Sequence, residues 1–437
     1  MKTPTAIVAL VAAVAFGAAW PWFAQRGARA NGVPVAPIQT DYRSRDRLIA
    51  FYENQVRSDP ADQITQRMLA GQYLQRFRET GDLTDVSRAH AMATRSLALQ
   101  PQGNVPALGV IASSDIAFHR FSEALVAERA ALRATPFDDN ARAQIGSILM
   151  ELGRYREANE ILARPTAQDP NPTWLSIRAR YNELTGNLRA ARFEVSEATQ
   201  LVDRMSSVPA YTRSWYHLRD AQLAFEAGDS TTASAEFEEA LRIFPDNAMA
   251  LLFQAKFYRA RGEWKQALNS AQRSADLYPL PQALGYVVDA QRALGDEAAA
   301  RRTDALIRAE QRLFNVQGIN DRLLAMYYAE HKEHLGDALA AARSDIAKRG
   351  DEVYADDTIA WVLAAMNRWT EARVYAQRAM RYDTADPELQ YHAAVIAWRT
   401  GHADEARRRL TAALAADPQF HPVYAADARR MLAEIDR

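Results

Sequence analysis

No cysteine occurs among the 437 residues, which removes disulfides, thiolate catalysis, cysteine-type zinc sites and lipid attachment through cysteine. Lysine is almost as scarce, standing only at 2, 256, 265, 332 and 348, so arginine carries the basic charge. Together with abundant alanine, this is the composition expected of a GC-rich bacterial genome. Neither sign of charge dominates: 53 basic against 54 acidic residues leave a net charge of −1. Such a balance supplies no bulk field that would recruit nucleic acid or an anionic membrane.

Catalytic motifs are missing as well. There is no GxGxxG or GxxxxGK[ST] loop to cradle phosphates and no GxSxG to seat a serine nucleophile. The nearest thing to a metal pair is His331 and His334 in AEHKEHLGD, with Glu330 and Glu333 beside them. Zinc hydrolase motifs place their histidines four apart, whereas these are three apart with no third ligand evident. Histidine near a helix C-terminus is explained by the dipole alone. The expectation is therefore a non-enzyme with no cofactor and no metal, a metal-dependent protein using His331 and His334 being the alternative.

The amino terminus, MKTPTAIVALVAAVAFGAAWPWFAQRGARANG, starts on Lys2, runs apolar from Ala6 to Ala24 and then offers Ala28-Arg29-Ala30. That is the layout of an export signal cut before Asn31. The apolar run also approaches the ~20 residues of a spanning helix, so an uncut anchor through residues 6–24 is the other reading. Either way the rest of the chain is expected in the periplasm, free or held at the inner membrane. Residues 31–42 read as a linker.

What the rest of the chain has is a repeat. GRYREANEILARPTAQDP (153–170), GEWKQALNSAQRSADLYP (262–279) and GHADEARRRLTAALAADP (401–418) share a glycine, an alanine five residues on and a closing proline. The alanine recurs at 89, 124, 158, 191, 233, 267, 300, 341, 372 and 406, and the glycine at 153, 186, 228, 262, 295, 336 and 401. Before the glycine lies a helical stretch such as 139–152, with Ile145, Ile148, Leu149 and Leu152 on one face. The glycine ends that helix in the left-handed conformation, the alanine lets the second helix approach the first, and Asp-Pro stops the second helix. His119 and Asn367 stand at two turn positions, and both residue types visit the left-handed region more often than most.

This pattern resembles the tetratricopeptide repeat, a helix–turn–helix unit of about 34 residues. The resemblance implies an all-α fold, a right-handed superhelical solenoid of about ten repeats. It places a lone helix at 43–61, three blocks at 62–201, 214–306 and 322–418, and a capping helix at 421–437. Pro165 should cut its second helix short, TGDLTDVSR (80–88) should hold extra turn residues, and the long gaps after Leu201 and Leu306 are expected to be longer helices plus a connector.

Members of such a family bind partner segments on a concave face made by first helices. Transferred here, that face takes Arg180, Glu183, Trp215, Leu218, Gln222 and Phe225, followed by Lys256, Arg259, Asp289 and Arg292. The last units add Met326, Glu330 and Glu333, then Tyr354, Asp357 and Trp361, then Tyr391, Val395 and Trp398. Aromatic and arginine residues dominate binding energy when a partner buries them. The implied function is a scaffold or adaptor of the bacterial cell envelope that holds another protein in this groove. The alternative is a structural subunit docking by its convex face or connectors.

Overall fold

The computed structural model describes residues 41–166, 171–316 and 322–437. Among the described residues there are twenty-two α-helices and no strand. A single helix, α1 (Asp41–Ser58), comes first. Ten helical hairpins follow. The first five are α2 (Gln63–Thr80) with α3 (Leu83–Leu99), α4 (Val105–Ala117) with α5 (Phe121–Ala134), α6 (Asp139–Glu151) with α7 (Tyr155–Leu162), α8 (Pro172–Leu184) with α9 (Leu188–Arg204), and α10 (Ala210–Glu226) with α11 (Ser230–Ile243). The other five are α12 (Ala248–Ala260) with α13 (Trp264–Leu277), α14 (Pro281–Ala293) with α15 (Glu297–Val316), α16 (Arg322–His331) with α17 (Leu335–Arg349), α18 (Val353–Ala365) with α19 (Trp369–Ala379), and α20 (Pro387–Arg399) with α21 (Ala403–Ala416). Helix α22 (Tyr424–Ile435) closes the chain. The expected signal or anchor (1–30) and nearly all of the linker lie outside the described residues. No helix among those described is long and apolar enough to cross a membrane.

Local chemistry accounts for the hairpins. Asp62, Asp82, Asp138, Asn247 and Asp386 accept hydrogen bonds from the first free backbone N–H groups of their helices. At the α6–α7 turn Gly153 adopts φ 67°, its N–H reaches the Met150 carbonyl at 3.0 Å and Arg154 N–H reaches Leu149 at 2.8 Å. His119 (φ 55°) and Asn367 (φ 59°) make the same left-handed turn without glycine, as their residue types predict. The alanines after the turns, such as Ala158, Ala233, Ala267 and Ala406, have no exposed surface at all.

Pro165 has the expected effect, since α7 is only 8 residues long. The connector after Leu201 is also as expected: α9 and α10 are 17 residues each and leave a short link. Two expectations are corrected. The residues of 80–88 do not enlarge the turn; Gly81 (φ 68°) ends α2, Asp82 caps α3, and the surplus lengthens the helix. Gly336 is not a turn residue, for it lies inside α17, and Lys332 (φ 56°) and His334 (φ 45°) turn the chain instead. The packed alanine of that hairpin is accordingly Ala338, 1% exposed, while Ala341 is only half-buried.

The described residues form two compact units. Unit 1 comprises the described residues up to Arg178 with Glu194–Tyr216 and Arg242–Asp246. Its core includes Ala70, Ala93 and Ala107, and a second group of Leu175, Ala198, Val202, Trp215 and Tyr216. Unit 2 comprises Ala179–Phe193, His217–Leu241 and Asn247–Arg437, with an aromatic core of Tyr391, Phe420 and Tyr424 around Leu410 and Met431. Unit 2 also makes very long-range contacts. A Cβ at Gly186 would lie 2.6 Å from the Asp383 carbonyl oxygen, and one at Gly228 would collide with the carbonyl oxygen of Ala416. Its earliest turns therefore abut its last hairpins.

Candidate functional site

Most first-helix residues expected to line a groove fall in unit 2, where they bind one another. Arg180 donates to Glu183 at 2.5 Å, and Arg219 donates to the same carboxylate at 2.6 Å. The Arg180 guanidinium also lies over the Tyr354 ring at 5.0 Å, while the Tyr354 hydroxyl donates to Asp386 at 3.0 Å. Lys256 pairs with Glu388 at 3.1 Å. Arg259 is 6% exposed and reaches Asp289 at 2.8 Å, Glu330 at 3.4 Å and the His421 imidazole at 3.0 Å. His421 lies 162 residues along the chain from Arg259, and Thr384, which donates to the Glu183 carbonyl, lies 201 residues from it.

These pairings fix the electrostatics. Burial works against the charge of Lys256, but Glu388 outweighs it and holds the ammonium above its usual range. Burial likewise pulls His331 down, yet the Asp289 carboxylate, 2.9 Å from Nε2, raises it overall. His392 behaves in the same way against Asp357. His421 goes the other way: burial and then the Arg259 charge hold it well below its usual range, so it stays neutral, with Nδ1 accepting from the Val423 and Tyr424 N–H groups. Burial raises Glu330, and burial beside Glu183 raises Glu226 well above the carboxylate range.

The aromatics belong largely to packing. Trp215 is 4% exposed within unit 1's core, so it is a core residue and not a groove anchor. Phe225 sits edge-on to Phe257, with Arg261 over its ring. Trp361 stacks on His392 at 4.1 Å, and Tyr391 stacks on Tyr424 and donates to Asp427 at 2.6 Å. Trp398 and Val395 pack against the same core. Arg292 is the most loosely held of the set, 4.0 Å from Glu297.

The histidine pair does not converge on a metal geometry. His331 Nδ1 meets the Tyr327 carbonyl at 2.8 Å and Nε2 meets Asp289, so both ring nitrogens are engaged. His334 instead takes the left-handed turn position, its ring against Tyr328. Among the described residues no group of three His, Asp or Glu side chains could hold a metal ion.

Unit 1 holds a feature that the sequence reading missed, a cavity of about 440 Å³ on the face made by α1, α2, α4 and α6. Leu48, Met68, Val105 and Val110 give it apolar walls. Gly71 and Gly109 form part of its lining, and a Cβ at either would meet nothing within 4 Å. Into it also face Arg78, Glu128, Asn140 and Gln144. Glycine stands inside first helices at 71, 109, 146 and 285, where a helix former would otherwise be favoured, but a Cβ would meet Leu162 at Gly146 and Tyr327 at Gly285, so glycine alone does not mark the cavity in the sequence.

Models of the tetratricopeptide repeat match residues 115–181 and 363–435, and a second model of that repeat matches 250–282. No curated protein matches the chain. Among solved structures, the crystal structure of the yeast Tom70 aligns over 90% of this chain and 93% of that chain, at 13% identity and a TM-score of 0.34. The chain is thus an all-α solenoid carrying tetratricopeptide repeats, and such repeats generally mediate binding to other proteins.

Proposed function

We propose that this protein is a scaffold of the bacterial cell envelope that holds another protein, exported or anchored by its amino-terminal apolar segment. The observation that carries the reading is the array itself, ten hairpins among the described residues, several of which fall within repeat matches at 115–181, 250–282 and 363–435. The envelope assignment rests on the Lys2, Ala6–Ala24 and Ala28-Arg29-Ala30 layout.

One observation favours docking on the outward faces over docking in the expected groove. In unit 2 the groove residues already satisfy one another, so a partner would have to break ion pairs such as Arg259–Asp289 and Lys256–Glu388 to reach them. Truncating or displacing one member of a buried pair costs about 3–5 kcal/mol. Second helices, by contrast, expose apolar side chains: Phe193 at 71% and Val374 at 54%. The test is capture from crosslinked native envelope with tagged full-length protein, comparing Phe193→Glu/Val374→Glu with Arg292→Ala. Loss of a partner in the first variant alone supports the outward-face reading, loss in the second alone restores the groove, and capture of no specific protein overturns the scaffold. Sequencing the mature amino terminus of the same sample separates a cut at Asn31 from a retained anchor.

A further inference from the structure

The unit 1 cavity is lined by polar groups that lack partners among the described residues. Arg78 uses only Nη1, toward Gln75 at 3.3 Å, and its Nε and Nη2 are buried with no hydrogen-bond partner among the described residues. Gln144, 8% exposed, has a buried Nε2 likewise unpartnered. Glu128, 5% exposed, makes no ion pair among the described residues, and burial followed by the Asp138 charge pushes it up to about 8. It is therefore an uncharged acid at neutral pH, with an O–H to donate. Asn140 Oδ1 is a buried acceptor of the lining with no partner among the described residues.

That inventory is specific. The Glu79 carboxylate only partly offsets the burial of Arg78 and is itself held by Arg45 at 2.6 and 2.7 Å, so the two free N–H groups of Arg78 still match a carboxylate fork. A peptide main chain would bring an acceptor and a donor at every residue and need both in return. The lining instead offers donors in excess along apolar walls, which suits an occupant with an acceptor-only head and an apolar body. A cavity of about 440 Å³ falls within the ~300–1,000 Å³ of small-molecule sites, which are mostly apolar with a few placed polar groups.

We propose that this cavity binds a single-chain aliphatic carboxylate, its head group on Arg78 and its chain along the floor left open by Gly71 and Gly109. The charged groups facing the site are Arg78, Arg67, Glu128 and Asp138. Arg67 is turned toward Asn104 at 3.4 Å and Asp138 caps α6, accepting from Asn140 N–H at 2.9 Å. Arg78, which burial pushes down to about 10, keeps its charge across neutral pH. Affinity should therefore hold at neutral pH and fall as Glu128 ionises above about 8.

The experiment is calorimetric titration of the full chain with dodecanoate, with dodecyl alcohol and with a short peptide ending in an apolar residue. Saturable dodecanoate binding is expected, weakened about tenfold or more in Arg78→Gln and abolished in Gly71→Leu, whose added side chain enters the cavity. Circular dichroism melts confirm that each variant is folded; Gly71→Leu meets no neighbour at its Cβ and keeps the test valid if Arg78→Gln does not fold. Absence of dodecanoate binding, equal binding of the alcohol, tighter binding of the peptide, or binding untouched by Gly71→Leu would each overturn the proposal.

Discussion

Replacing Glu128 by Gln should stabilise the protein, and by an amount that grows with pH. The carboxyl is 5% exposed and is pushed up to about 8 from its ordinary 4.5, by burial first and the Asp138 charge second. Between those values the unfolded chain has released a proton that the folded chain retains. The unfolded state then binds fewer protons, so stability declines as pH rises, and the decline stops above the folded value. Each unit is worth about 1.4 kcal/mol. The cost carried by Glu128 is thus near zero at about pH 4.5, on the order of 3 kcal/mol at pH 7 and roughly 5 kcal/mol above pH 8. Glutamine keeps the shape and a donor without the ionisation. Paired urea melts of wild type and Glu128→Gln from about pH 5 to 9 read the difference directly. A difference independent of pH, or a variant less stable throughout, would refute the reasoning. So costly a buried acid fits a lining kept for a ligand rather than for stability.

Four further outcomes follow from named contacts. Gly228→Ala should cost more than Gly295→Ala: both positions have positive φ, but only at Gly228 would the new Cβ meet backbone, and thermal melts of the two variants rank them. Ala338→Leu should destabilise by about 1–3 kcal/mol or more through overpacking, and Ala341→Leu by clearly less, since Ala338 is 1% exposed and Ala341 half-buried; the reverse order in denaturant melts would return the turn to Gly336. Arg259→Met should cost about 3–5 kcal/mol, because it strands Glu330 in the interior and leaves Asp289 with His331 alone, and a melt unchanged by this variant would contradict the network. His421→Phe should reduce the loss of stability on acidification. The folded imidazole is held well below 6.5, so its contribution is present above about 6.5 and is lost as pH falls below it; urea melts at about pH 5 and pH 8 check the sign.

The hairpins were legible because every rule that makes them is local. A left-handed residue, a small residue five positions on and a proline stop can be read within a single repeat, and even His119 and Asn367 obey the same conformational preference. The turn before α17 escaped because glycine is only a preference: Lys332 and His334 take the strained positions, and Gly336 is free to be helical. The pairing of the first-helix residues in unit 2 was hidden for a different reason. Partners of the first-helix residues lie 162 and 201 residues away in pairs such as Arg259–His421 and Glu183–Thr384, and no periodicity connects them. Trp215 shows the same ambiguity on a smaller scale, since helical spacing does not distinguish an anchor from a core residue. Gly71 and Gly109 look in sequence like Gly146 and Gly285, which pack against Leu162 and Tyr327, and their use as a cavity floor needed three dimensions.

The most direct test of the scaffold is site-specific photocrosslinking in the native envelope, with a photoreactive phenylalanine analogue placed either at Phe193 on an outward face or at Arg292 among the inward first-helix residues. A discrete protein adduct from Phe193 and none from Arg292 is the predicted result. An adduct from Arg292 alone would return the partner to the groove, and no adduct from either position would contradict a partner-holding scaffold.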